Sequence, residues 1–97
     1  MITIEDNNHC ERVAECETFD EALCQLRYLS SIPWDQEPNR APCKSWRKCR
    51  RNYEICEIDA TQMPWKTLRR LLALKISRNG AQWLGDIEEK WREAPRS

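Results

Sequence analysis

The sequence predicts an α+β fold: a two-layer sandwich with an antiparallel sheet of four to five strands, one main helix after the first strand or strands, and a short C-terminal helix. Three observations predict it. An apolar stripe of helical spacing starts at a capping box on Thr18, and period-two alternation recurs on both sides of it. The turns near Asn52 and Asn79 are too short for parallel crossovers, so the strands they join should be antiparallel. A chain of 97 residues, 33% charged and 40% apolar, is long and hydrophobic enough for one folded domain over residues 1–97 and too short for two.

Residues 1–4 read as a strand that turns through Asp6-Asn7-Asn8 into a partner over residues 9–18. There Cys10, Arg12, Ala14 and Cys16 alternate with Glu11, Val13, Glu15 and Glu17. Thr18-Phe19-Asp20-Glu21 starts the main helix, because the Thr hydroxyl can accept from the first turn and the acids suit the positive end of the dipole. Phe19, Ala22, Leu23, Leu26, Leu29 and Ile32 form its apolar face, and Pro33 stops it. Residues 33–42 are a stiff loop with three prolines.

A short strand centred on Trp46 is expected over residues 43–48. A second follows over residues 53–59, with Tyr53, Ile55 and Glu57 alternating against Glu54, Cys56 and Ile58. Residues 68–77 form the next, with Leu72, Leu74 and Ile76 facing inward, and Asn79-Gly80 supplies the residues of a tight hairpin turn into residues 81–84. Asp86 caps the last helix, whose inner face is Ile87, Trp91 and Ala94.

Charge is balanced, 16 basic against 16 acidic, but unevenly placed. Residues 1–21 hold seven acids and one base, residues 40–51 six bases and no acid, and residues 66–78 five bases and no acid. Such a polarity steers a partner or pairs with itself when the sheet forms. The longest apolar run, residues 71–74, cannot cross a bilayer, and no secretory signal is visible. The expectation is a cytoplasmic protein with no membrane association.

Catalytic signatures are sparse. His9 is the sole histidine and sits in a polar turn, where a surface role is the commoner one, although a Cys–His couple with a distant thiol stays open. The two glycines, Gly80 and Gly85, belong to turns rather than to a phosphate loop. Glu15/Glu17 and Glu88/Glu89 fall on solvent faces. The chain is therefore expected to be no enzyme, with no catalytic residue, no metal ligand and no cofactor assigned. The six cysteines (Cys10, Cys16, Cys24, Cys43, Cys49 and Cys56) read first as reduced packing thiols, since zinc ligands usually come in closer pairs and disulfides need an oxidising compartment.

Three functional readings follow. The first is a non-enzymatic module that binds a protein partner, or itself, through an aromatic–basic surface of Trp34, Arg40, Trp46, Arg47 and Trp65. Tryptophans at loop starts are rigid interface anchors. The second is nucleic-acid binding through Lys44, Arg47, Lys48, Arg50 and Arg51, with Trp46 as a stacking platform. The third is metal binding or redox sensing by cysteines of the two Cys-x5-Cys pairs, Cys10/Cys16 and Cys43/Cys49.

Overall fold

The computed structural model describes residues 1–96. Its elements are β1 (Ile2–Asp6), β2 (Glu11–Cys16), α1 (Phe19–Ser30), β3 (Arg51–Asp59), β4 (Lys66–Ser77), β5 (Gly80–Trp83) and α2 (Ile87–Glu93). The five strands form one sheet in the order β2-β1-β3-β4-β5, antiparallel at every junction. Two helices on such a sheet make the predicted α+β architecture. No helix among the described residues is long and apolar enough to cross a membrane.

The first helix begins where the sequence says. Thr18 Oγ1 accepts from the Glu21 amide at 3.2 Å, and Glu21 Oε2 reaches back to the Glu17 amide at 2.9 Å, one residue beyond the ideal reciprocal box. Ala22, Leu23, Leu26 and Leu29 bury their face against Ile2, Ile4, Tyr53, Ile55, Leu74 and Ile76. Asp86 caps α2 by accepting from the Glu89 amide at 3.2 Å, and Ile87 and Trp91 join the same core. Phe19 stacks on Trp91 with centroids 5.2 Å apart, which ties the two helices together.

Four local expectations are corrected. Residues 43–48 are not a strand: β3 is already paired on both edges by β1 and β4, so that segment has no ladder to join. It curls instead into a 3-10 turn over Trp46–Lys48, with Trp46 and Cys49 amides bonded to Cys43 and Trp46 carbonyls at 3.2 Å each. In β4, the extra residue Ala73, opposite the Tyr53–Glu54 step of β3, shifts the alternation, so Leu71 packs on the core beside Leu74 and Ile76, and Leu72 does not. A second bulge between Ile4 and Glu5 places Val13, Ala14 and Cys16 against the core, while Cys10 stands in the preceding turn. The β4–β5 turn is centred on Arg78-Asn79, one residue earlier than expected, and only Gly80 takes a positive φ, +106°.

The long loop is held by two polar residues buried beneath it. Asn39 is only 2% exposed; its Nδ2 donates to the Leu29 and Ile32 carbonyls at 2.8 Å each, and its Oδ1 accepts from Tyr53 Oη at 2.8 Å. It thereby joins the Ile32 amide, at 3.2 Å, on the Leu29 carbonyl in the last turn of α1 and binds the Ile32 carbonyl just beyond that helix. Arg51, the first residue of β3, donates Nε to the Asn39 carbonyl at 3.3 Å and Nη2 to the Pro38 and Arg40 carbonyls at 3.0 and 3.1 Å. Its remaining nitrogen, Nη1, meets Asp6 and Glu11 at 3.0 Å each.

Candidate metal centre

The turn after β1 positions the first half of the site. Asp6 is fully buried and hydrogen-bonded on both oxygens. Oδ1 accepts from the Asn8 and Asn52 amides at 3.0 Å each, and Oδ2 accepts from Arg51 at 3.0 Å and from His9 Nδ1 at 2.6 Å. A carboxylate can only accept here, so Nδ1 carries the proton and Nε2 is the ring nitrogen turned toward the Cys49 sulfur.

The second half comes from the segment before β3. Cys43 and Cys49 bracket the Trp46 turn, and that turn brings their side chains back to one place. His9 Nε2 lies 3.1 Å from Cys49 Sγ, and the donor atoms of His9, Cys43 and Cys49 all fall within 4.8 Å of one another. Asn8 Nδ2 donates to the Arg50 carbonyl at 3.0 Å and lies 3.7 Å from Cys49 Sγ, which fastens the two halves together.

The two thiols differ. Hydrogen bonds from Ser45 first, then from His9 and Cys49, bring Cys43 down from its ordinary 9.0 to about 7. Cys49 is pushed up, chiefly because its hydrogen bond to Cys43 stabilises the neighbour's thiolate rather than its own. Burial pulls the His9 imidazole down, yet hydrogen bonds to Asp6 and Cys43 and the Asp6 charge outweigh it, so its pKa is raised. The group is an acidic thiol, a weaker thiol and an imidazole oriented by a buried carboxylate.

Two soft sulfurs and one oriented imidazole suit a thiophilic divalent ion. Tetrahedral bonding of about 2.3 Å to sulfur and about 2.0 Å to nitrogen separates ligand atoms by roughly 3.5–3.8 Å, which these donors reach with small side-chain rotations. Asp6 behind the imidazole is the outer partner that fixes the tautomer of a metal-ligating histidine. Three donors leave a fourth position for water or a ligand.

The sequence-predicted sets separate in the fold. Trp34 and Trp46 lie 5.6 Å apart, with the Arg40 and Arg47 guanidinium carbons 5.3 and 5.0 Å from the Trp46 ring, so four of the five aromatic–basic residues form one patch. Trp65 lies apart, beneath Arg12 at 5.0 Å. Of the proposed nucleic-acid set, Lys44, Arg47, Lys48 and Arg50 are exposed, but Arg51 is 4% exposed with its guanidinium engaged inside the protein, so it is removed from that set. The cysteine pairs divide as well. Cys43/Cys49 converge, whereas Cys16 ends β2 and Cys10 lies in the turn before that strand begins, so the length of β2, roughly 17–20 Å by strand rise, separates them.

Reading the sequence alone missed Asp6 and undervalued His9. The available signals were the Asp6-x-x-His9 spacing in a turn and a Cys-x5-Cys pair around an aromatic–basic turn. No family model, curated protein or solved structure matches this chain.

Proposed function

We propose that this domain binds a thiophilic divalent ion of the zinc class through His9, Cys43 and Cys49. The ion fixes the loop over residues 33–50, so that Trp34, Arg40, Trp46 and Arg47 are held as a contact surface for a protein partner. One observation carries the reading: the donors of three residues, from two segments 40 positions apart in His9 and Cys49, converge within 4.8 Å in front of a buried carboxylate. The aromatic–basic patch adds to it, since the turn that carries Trp46 is bracketed by the two cysteine ligands.

Native mass spectrometry of protein purified without chelator and then given zinc tests the reading. One zinc per chain is expected for the wild type and none for Cys43→Ser/Cys49→Ser. Equal zinc content in the two proteins, or none in either, would refute it. The inequality of the thiols favours a second reading, a reversible Cys43–Cys49 disulfide formed with an external oxidant, because an acidic thiol beside a weaker one is the arrangement of exchange-active pairs. A zinc-free wild type that loses the mass of two hydrogen atoms, their electrons taken by a mild oxidant, with Cys43 and Cys49 joined in the peptide map, would move the assignment to that chemistry.

A further inference from the structure

Between the end of the 43–50 segment and the β4–β5 hairpin lies a cavity of about 360 Å³. Lys48 and Arg50 line it from one side, and Lys75 and Arg78 from the other. Ser77 and Gln82 add polar side chains, and no Asp or Glu contributes to the lining.

This concentration of charge is not a consequence of overall composition, since the chain carries 16 bases and 16 acids. Several bases elsewhere are matched to carboxylates. Arg51 meets Asp6, Arg69 meets Glu57, Arg70 meets Glu54 and Arg27 meets Glu88. The side chains of Lys48, Arg50, Lys75 and Arg78 make no ion pair or hydrogen bond among the described residues. Four cations lining one cavity repel one another, and a multiply charged anion offsets that repulsion.

We propose that this cavity binds the di- or triphosphate group of a small molecule. A cavity of this volume has the size of a small-ligand site rather than a strand-length groove. Arginine and lysine supply the fork and point-charge contacts that phosphoryl oxygens accept. A second cavity of about 410 Å³ shares Arg78, Asn79, Gly80 and Ala81 with the first and is lined by Ile32, Pro33 and Trp34. An aromatic or apolar portion of the same ligand has a wall to lie against there. The site takes up Lys48 and Arg50 of the basic segment and does not depend on the metal centre, although Cys49 belongs to both walls.

Isothermal titration calorimetry on the full chain, with pyrophosphate and separately with ADP as probes, tests it at low and high salt. Arg78→Ala and Arg50→Ala should each weaken pyrophosphate binding about tenfold, as loss of a charge-assisted contact does. Arg92→Ala, on the exposed face of α2, should change it less than about twofold. Lys75→Gln serves as a further variant should Arg78→Ala alter the circular dichroism spectrum. Tighter binding of ADP than of pyrophosphate supports a nucleotide lying against Trp34, and equal binding supports the phosphate chain as the whole determinant. The assignment is overturned by absence of binding for both probes, or by an equal loss in Arg92→Ala. It is also overturned by single-stranded oligonucleotides that bind more tightly than ADP with affinity rising with length. Repeating the titration with Cys43→Ser, which removes a metal ligand that does not line the cavity, keeps failure here distinct from failure of the metal assignment.

Discussion

Two clusters of cysteine and acid occupy opposite chemical regimes in this small fold. One is Asp6, His9, Cys43 and Cys49; the other is Glu5, Glu54 and Cys56, whose donor atoms also fall within 4.8 Å of one another. In the second, burial first and the Glu54 charge second push the Cys56 thiol up to about 12. Glu54 is itself matched by Arg70 at 2.6 Å. In the first, hydroxyl and imidazole partners bring Cys43 down to about 7. The same residue types therefore make an inert thiol against one face of the sheet and an acidic thiol, Cys43, at its end. Hydrogen-bond partners and burial set the difference, rather than composition.

Thiol reactivity gives the largest expected contrast. Timed alkylation of the metal-free protein with iodoacetamide, read by peptide mass spectrometry, should label Cys43 with a midpoint near pH 7. Cys56 should stay unlabelled below about pH 12 until the protein is unfolded. From thiolate populations alone the rates at neutral pH should differ by roughly a thousandfold or more. Comparable rates in the folded protein would erase the distinction between the clusters.

The counter-ions separate the clusters next. The Arg51 and Asp6 side chains are 4% and 0% exposed, whereas Arg70 is 53% exposed above Glu54. Arg51→Ala leaves a buried carboxylate without its cation and frees three loop carbonyls, and should cost about 3–5 kcal/mol in urea denaturation. Arg70→Ala should cost less, about 1–2 kcal/mol, because half of that side chain already lies in water and its removal opens the buried Glu54 carboxylate to solvent. Similar losses in the two variants would mean that the Asp6–Arg51 pair does not hold the site together.

The smallest effect is the response to alkali. Tyr53 is raised by burial from 10.0 to about 12 and Cys56 from 9.0 to about 12. For groups whose folded pKa lies above the unfolded value, the stabilisation is complete below the unfolded value and is lost as pH rises through the folded one. Stability measured by urea denaturation should therefore hold up to about pH 9 and decline toward pH 12. Tyr53→Phe and Cys56→Ala should each flatten the decline, and an unchanged slope in both would assign the alkaline response to other groups.

The elements that sequence reading recovered are those whose signals are local. The Thr18 and Asp86 caps, the stripe from Ala22 to Leu29, and the antiparallel β4–β5 hairpin each depend on residues a few positions apart. The misplaced features depend on partners far along the chain. Which of Leu71 and Leu72 faces the core is decided by a bulge against β3, and the fate of residues 43–48 by the pairing of β3 on both sides with β1 and β4. The site is of the second kind. Asp6 and Arg51 are ordinary charges in sequence, and become a buried pair only when β1 and β3 are neighbours. His9 meets Cys49 across 40 residues for the same reason.

Cobalt substitution tests the metal centre most directly. On titration of the reduced, metal-free chain with Co²⁺, His9, Cys43 and Cys49 should give thiolate-to-cobalt charge-transfer absorption together with tetrahedral d–d bands, saturating at one ion per chain. Cys43→Ser and Cys49→Ser should each weaken the thiolate band, and Cys16→Ser should leave it intact. A wild-type spectrum showing only octahedral aquo-cobalt, or one unchanged by both serine substitutions, would contradict the assignment.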